Sequence, residues 1–413
     1  MLKKKTDILI LGAGIGGYET FRSLNKQLKR HGIKKMITII DQNNYFTFTP
    51  MLHEVASGSV QANHCAIPIR ECMHKTNHEF WQTKVEHIDH KRKIVTTSKG
   101  EISYEYCIVA LGSKTNYFGT PGAKTYSEHV RNLPAAIHLH QKLIRLLEDQ
   151  ALQKIHIVVV GGGATGVELA GQLDYLIKKD LKSLYQDKNF KITIVQSQDE
   201  LLPYTPEKVR ATACKKLEKE GVKILLKTRV KEVTENSVIL DNGDSIKSHL
   251  TAWTAGFSTI GDCYVGADAC EKGQIIVNQY LQSKADPDLY AIGDIALAHD
   301  IETGAPLPKL GEIAHLEGEH VAKNLAKQIK NKPLIPFNHK SKGVLIPIGD
   351  WFAVAHLGPF TFHGRFAWWL RRTIYLAFIP GYLRKLRIII DWTLHSLGFR
   401  HTVDLDLDVH KTD

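Results

Sequence analysis

Two copies of one pattern lie about 150 residues apart in this 413-residue chain. Each reads as an apolar strand, a glycine-rich turn, a helix and a second strand, and an aromatic, basic segment follows the second copy. These observations predict an α/β fold: two Rossmann-like dinucleotide-binding domains, then a C-terminal α-helical region that associates with membranes. The length suits about two to three domains. A net charge of +11 fits an acidic partner such as anionic lipid or nucleotide phosphate. No nucleic-acid recognition module accompanies that charge, so nucleic acid is not expected as a partner.

The first pattern begins at the strand Asp7 to Leu11 and turns through Gly12, Ala13, Gly14, Ile15, Gly16 and Gly17. A helix over Tyr18 to Lys29 and a strand over Met36 to Ile40 follow, and Asp41 closes the unit. Gly12 makes the tight turn, Gly14 lets backbone approach a pyrophosphate, and Gly17 lets the helix pack close to the strand. The helix N-terminus offers free N–H groups and the positive end of its dipole to phosphate. Asp41 stands where an acid accepts the ribose hydroxyls. The Met1–Lys5 start followed by an apolar run imitates a signal peptide. Asp7 interrupts it and the glycine motif needs a retained strand, so it is read as structural.

The second pattern runs from the strand Ile155 to Val160 through Gly161, Gly162, Gly163, Ala164, Thr165 and Gly166 to a helix over Val167 to Lys179. The strand Lys191 to Val195 ends at Gln196 rather than at an acid. Two such units imply two cofactors, one held and one exchanged, which fits a flavin with NAD(P)H. Gln196 leaves two readings open. It binds the ribose and NADH dominates, or its neutrality also admits the 2′-phosphate of NADPH. Glu168, in the first helical turn, either reaches the nicotinamide amide or simply favours the helix dipole; Gln172 lies one turn further on the same face.

Further segments close the two sites. The strand Tyr106 to Gly112 ends in small residues, including Ala110 and Gly112, that let a nucleotide lie against backbone. Leu289 to Asp294 is a strand ending in Gly-Asp, with Asp294 able to bond the ribityl or pyrophosphate region or to act as a plain cap. The helix Gly311 to Gln328 would aim its N-terminus at the flavin. Trp253 to Gly256 repeats the small-residue ending, with Ala255 and Gly256, beside the second turn. The expected boundaries are 1–120 with 285–335 for FAD, 121–284 for NAD(P)H, and 336–413 for the C-terminal region. Six cysteines without CxxC or zinc-ligand spacing read as structural thiols, and no metal is expected.

No stretch reaches the roughly 18 apolar residues of a spanning helix. From Gly364 to Phe399, however, Leu383, Leu386, Ile390, Thr393 and Leu397 recur at helical spacing, with Arg384, Arg387, Asp391 and His395 on the neighbouring face. Arg365, Arg371, Arg372, Lys385 and Arg400 add charge. Amphipathic basic helices of this kind lie in a membrane interface, with Trp368, Trp369 and Trp392 suited to headgroup level. Packing on the body or on a second subunit is the alternative. Val403 to Val409 reads as an edge strand or an acidic end.

Taken together the chain resembles the type II NADH:quinone oxidoreductases, single-chain peripheral membrane flavoenzymes with two dinucleotide-binding domains. The resemblance rests on GAGIGG at 12–17, FTPMLHEVASG at 48–58, IPIRE at 67–71, GGGATGVELAG at 161–171, WTAG at 253–256, LYAIGD at 289–294 and KGVLIPIG at 342–349. It implies that NAD(P)H reduces FAD, that membrane quinone takes the electrons, and that no proton is pumped. It also implies that Val85 meets the adenine, that Ala314 contacts FAD, and that quinone lies near Gly311, Glu312, His315 and Leu316. There the family usually carries AQxAxQ, and Glu312 and Leu316 replace the two glutamines. Lys342 falls where the family places residues near the flavin. Glu168, Glu312 and Lys342 are thus the candidate catalytic residues. The resemblance further implies a homodimer on an anionic lipid surface, at the cytoplasmic face of a bacterial inner membrane. A sulfide:quinone oxidoreductase would need a late redox cysteine, and none follows Cys270. A disulfide reductase would need CxxxxC near the start, and an apoptosis-inducing-factor-like flavoprotein would show negligible quinone activity.

Overall fold

Continuous apolar runs such as Ile8–Leu11 and Ile157–Val160 have no polar face to offer solvent. They form strands of parallel sheets whose two faces are both covered. The computed structural model describes residues 2–339 and 343–397 and divides into two compact units. Lys342, Arg400 and the Val403–Val409 segment lie outside the described residues.

The first unit comprises 1–48, 66–114 and 257–340. Its five-stranded sheet runs Leu289–Ala291, Tyr106–Val109, Ile8–Leu11, Ile37–Asp41, Glu79–Gln82, with every pairing parallel. The strand Ile8–Leu11 is wholly buried. Two long helices, Ile15–His31 and Gly311–Ile329, pack on each other. The four strands Leu2–Lys5, Gly100–Ser103, Ile94–Thr97 and Val85–Asp89 make a separate sheet.

The second unit comprises 49–65, 115–256 and 341–413. Its five-stranded parallel sheet runs Ser127–Glu128, Leu250–Trp253, Lys154–Val160, Asn189–Val195, Lys223–Leu225. The helices Leu133–Glu148, Ala164–Tyr175 and Glu207–Lys219 belong to it, and so does the short helix Leu52–Ala56. A three-stranded antiparallel sheet, Val344–Pro347, Ala353–Leu357 and Phe360–Gly364, leads into the helices Arg365–Phe378 and Tyr382–Leu397.

Both glycine-turn helices begin three residues before their expected starts, at Ile15 and Ala164. The later glycines of each turn already sit in helical backbone, where low propensity is outweighed by the close packing they permit. The second helix does not continue as a regular α-helix to Lys179; it widens into a π-helix over Leu176–Asp180. The strand from Tyr106 stops at Val109, before Gly112 turns at φ +68°.

The C-terminal helices correct one expectation. Trp368 and Trp392 are 3% and 7% exposed, and Arg371 and Arg372 are 1% and 6% exposed, so these four are not presented to solvent or lipid. The Arg372 guanidinium lies 4.0 Å from the Trp368 ring centre and 4.5 Å from that of Trp392, a stacked cation–π arrangement. Leu383, Leu386 and Ile390 are exposed, as are Phe366, Trp369 and Tyr382, while Ile388 faces inward. No described helix is long and apolar enough to cross a membrane.

Candidate functional site

In the first unit the glycine turn is built by close backbone approach. Gly12 has φ +93°, and a Cβ on it would stand 2.4 Å from the Ala110 carbonyl oxygen; one on Gly17 would stand 1.9 Å from the Gly12 carbonyl oxygen. Neither position admits a side chain, which brings Gly12, Gly17 and Ala110 together. Gly14 differs: a Cβ there meets nothing within 4 Å. Gly14 is also the N-cap of the helix and has no side chain to cap it, so the first-turn N–H groups carry no side-chain cap. One oxygen of Asp41 accepts from the Ala13 N–H at 2.7 Å and the other from the Asn43 N–H at 2.8 Å. Burial pushes its carboxyl up against these backbone bonds. The acid therefore orders the turn as well as standing at its rim.

On the same unit a Cβ at Gly16 would lie 3.2 Å from the Ala314 carbonyl oxygen, and one at Gly293 would lie 3.5 Å from the Ala314 Cβ. The Ser113 hydroxyl donates to Asp294. Gly311 follows the uncapped N-cap Leu310 and lies against Ile15. Glu312 is half-buried on the first turn and Leu316 packs against the core. His315 Nδ1 lies 3.4 Å from a Glu19 oxygen. Glu19 already holds Arg22 through two bonds of 2.8 and 2.9 Å. Val85 is buried at the start of the strand Val85–Asp89, on the other sheet of the unit.

Two residues here escaped the sequence reading. Glu317 is 1% exposed and accepts from the Gly293 N–H at 2.5 Å. Burial raises its carboxyl to about 7, opposed by that bond and by Lys309. The Lys309 ammonium reaches the Ala296 carbonyl and is pulled down by burial. Together they hold the left-handed Gly293 turn that presents Asp294. An acid at an i+4 position between Ile313 and Val321 on a buried helical stripe was the available signal.

The second unit repeats the cradle. Gly161 has φ +108°, with a Cβ 2.8 Å from the Ala255 nitrogen, and a Gly166 Cβ would meet the Gly161 carbonyl oxygen at 1.9 Å. Gly163, the uncapped N-cap, again faces open space. Gly256 has φ +70° and lies against the Phe118 ring. Gln196 accepts from the Gly162 N–H at 3.1 Å, as Asp41 does from Ala13, and its amide nitrogen reaches Gln198 and the Glu200 carbonyl.

Glu168 sits in a polar cluster that joins three segments of this unit. Its side chain is 14% exposed, and its Oε2 lies 3.3 Å from His53 Nδ1. His53 Nε2 lies 3.3 Å from Arg371 Nη2. Arg371 Nη1 bonds Glu54 at 2.6 Å, with both side chains 1% exposed. Arg372 adds a contact to Glu54 at 3.5 Å. Gln172 donates to Asp350 at 3.2 Å. Burial pushes Glu168 up to about 8, with Arg371 pulling it down and Glu54 pushing it up. Burial also raises Glu54, but Arg371 and Arg372 outweigh it and bring that carboxylate to about 2. Buried charges of this kind persist because they are paired.

Both cradles suit a dinucleotide: open space beside a glycine N-cap, unsatisfied first-turn N–H groups and a carboxylate or amide ordering each turn. Comparison with known proteins agrees. The family model described as pyridine nucleotide-disulphide oxidoreductase matches residues 6–318. The type II NADH:quinone oxidoreductase of Haemophilus influenzae is 30% identical over 406 residues, covering 87% of this chain and 90% of its own length. The demethylphylloquinone reductase of Synechocystis is 29% identical, covering 96% and 98%. In fold, the structure of NDH2 from Plasmodium falciparum in complex with NADH superposes with a TM-score of 0.87 at 21% identity, covering 97% of this chain and all of that one. The chain belongs to the pyridine nucleotide-disulphide oxidoreductase family and, within it, to the type II NADH:quinone oxidoreductases.

Proposed function

We propose that this protein is a non-proton-pumping NADH:quinone oxidoreductase that holds FAD in its first unit and takes NADH in its second. The observation that carries this reading is the doubled cradle: two parallel sheets, each ending in a glycine turn whose helix N-terminus is uncapped and open. Bound FAD would supply the acceptor for the NADH hydride and the donor for quinone.

The chain's own residues bind, orient and exclude. The backbone at Gly14 and the helix dipole behind it would hold the FAD pyrophosphate, with Gly12, Gly16 and Gly17 shaping the turn. Asp41, Ala110, Gly112, Asp294 and Ala314 would line the rest of that site, and Val85 would meet the adenine. Glu317 and Lys309 position the Asp294 turn. Gly161, Gly163 and Gly166 would receive the NADH pyrophosphate, with Gln196 ordering the loop and Ala255 and Gly256 leaving backbone accessible. Burial raises the Glu168 carboxyl to about 8 and so favours its protonated form, in which it can donate a hydrogen bond to the nicotinamide carboxamide. Gly311, Glu312, His315 and Leu316 would border quinone, with His315 steadied by Glu19.

The exposed Leu383, Leu386 and Ile390, with Phe366, Trp369 and Tyr382 and neighbouring basic residues, favour attachment to an anionic lipid surface. Deleting the whole tail would also strip Arg371 from Glu54, so surface substitution is the cleaner test. Leu383→Asp with Leu386→Asp should leave flavin content unchanged and abolish binding to anionic vesicles; retained binding overturns the attachment. The activity itself is tested by steady-state assay of the yellow, flavin-loaded protein with NADH against several quinones, with sulfide as control. NADH-dependent quinone reduction is expected; sulfide turnover, or no quinone reduction, overturns the reading.

A further inference from the structure

His53 lies in no glycine motif, yet its side chain stands between Glu168 and Arg371 of the helix Arg365–Phe378. It is 3% exposed. Burial, then the Arg371 charge, lowers its imidazole to about 3, so the ring is neutral throughout the working range and carries one N–H. A guanidinium can only donate. Arg371 Nη2, 3.3 Å from His53 Nε2, therefore makes that nitrogen the acceptor. The single N–H must then stand on Nδ1, which lies 3.3 Å from Glu168 Oε2. Arg371 is fixed in turn by Glu54 at 2.6 Å and by the Pro50 carbonyl at 3.2 Å. Its guanidinium centre lies 4.4 Å from the Tyr375 ring centre.

We propose that His53 is the positioning residue of Glu168: Arg371 sets its tautomer, and its Nδ1–H, on the nitrogen in polar contact with Glu168 Oε2 at 3.3 Å, orients the Glu168 carboxyl at the nicotinamide site. This rests on the reading of Glu168 as the residue that meets nicotinamide. The arrangement is a relay of orientation, in which the outer nitrogen of an imidazole decides what the inner nitrogen offers. It makes the geometry of Glu168 depend on a helix 203 residues further along the chain, Arg365–Phe378. The charged and titratable groups facing Glu168 are His53 and Glu54 on Leu52–Ala56, and Arg371 and Tyr375 on Arg365–Phe378.

The test uses flavin-loaded full-length protein with two readouts. In protein labelled with ¹⁵N-histidine, the His53 ring signals are assigned by their loss in His53→Asn. Nδ1 is expected to be protonated and Nε2 bare from pH 5 to 9. An Nε2–H tautomer, or a ring that titrates in that range, overturns the proposal, and the tautomer itself is read on the wild-type protein. The second readout is the rate of flavin bleaching by NADH against pH. A polar N–H beside the carboxylate favours its charged form, so His53→Leu should move the Glu168 limb up by roughly one pH unit. His53→Asn places an amide NH2 near the former Nδ1 and should restore the wild-type limb. If Glu168→Gln removes the limb while His53→Leu leaves it unmoved, the positioning role fails alone. If Glu168→Gln leaves the limb in place, the nicotinamide reading of Glu168 fails with it.

Discussion

Replacing Arg371 by methionine should destabilise the second unit by about 3 kcal/mol, the lower end of the range for breaking a buried ion pair. Both partners are 1% exposed and their atoms stand 2.6 Å apart, so the lost charge leaves Glu54 without its main partner. Arg372, 3.5 Å from the other Glu54 oxygen, limits the loss. The depression of the Glu54 carboxyl by the same two arginines is of matching size. A carboxyl that ordinarily ionises at 4.5 and here ionises at about 2 contributes about 3 kcal/mol, at 1.36 kcal/mol per pH unit. Because its folded value is depressed, that stability is present above pH 4.5 and is lost as pH falls through 2. Glu54→Gln should remove that acid-limb dependence. The double variant Glu54→Gln with Arg371→Met should recover part of the single loss, since the new pair is neutral while Arg372 keeps Asp350 at 3.9 Å. The assay is urea unfolding followed by tryptophan fluorescence, and five of the six tryptophans (253, 351, 368, 369 and 392) lie in this unit. A loss below about 1 kcal/mol for Arg371→Met, or a double variant that loses the sum of the two singles, would refute the reasoning.

Other outcomes follow from the same geometry. Gly17→Ala forces a Cβ to 1.9 Å from a carbonyl oxygen and should yield insoluble protein, whereas Gly14→Val points into open space. That second variant should keep a native circular-dichroism spectrum and bind FAD about tenfold more weakly or worse, a loss of about 1.4 kcal/mol; undiminished flavin affinity would remove Gly14 from the pyrophosphate site. Gln196→Glu adds a charge beside the expected 2′-phosphate and should lower kcat/KM for NADPH relative to NADH by about tenfold. In the wild type, a preference for NADH beyond about a hundredfold would show that the neutral amide does not admit NADPH. Glu168 is raised to about 8, so its favourable contribution is full below 4.5 and declines as pH rises through 8. In the absence of NADH, Glu168→Gln should flatten that decline in the urea midpoint; an unchanged slope between pH 4.5 and 8 would place the titration elsewhere.

How much of the molecule was legible in the chain follows from what local sequence encodes. Gly12 and Gly161 announce left-handed turns, and the apolar runs beside them announce strands buried on both faces, because backbone sterics and hydrophobic period act within a few residues. Helix starts at Ile15 and Ala164 are not legible for the same reason, since glycines count as poor helix formers until a strand packs against them. The period of the tail marks it as amphipathic, yet the period alone does not say which tryptophans turn inward. Trp368 and Trp392 flank the buried Arg372, which lies 3.5 Å from Glu54 and 3.9 Å from Asp350.

By itself, then, the sequence determined two nucleotide cradles, their order along the chain and a helical, basic end. Tertiary structure alone decided that Glu54 pairs with Arg371, that His53 stands between Arg371 and Glu168, and that Glu317 braces Gly293. Glu54 and Arg371 are 317 residues apart. Nothing in the local pattern around either states the other's position, because a buried charge specifies that it needs a partner but not where the chain supplies one.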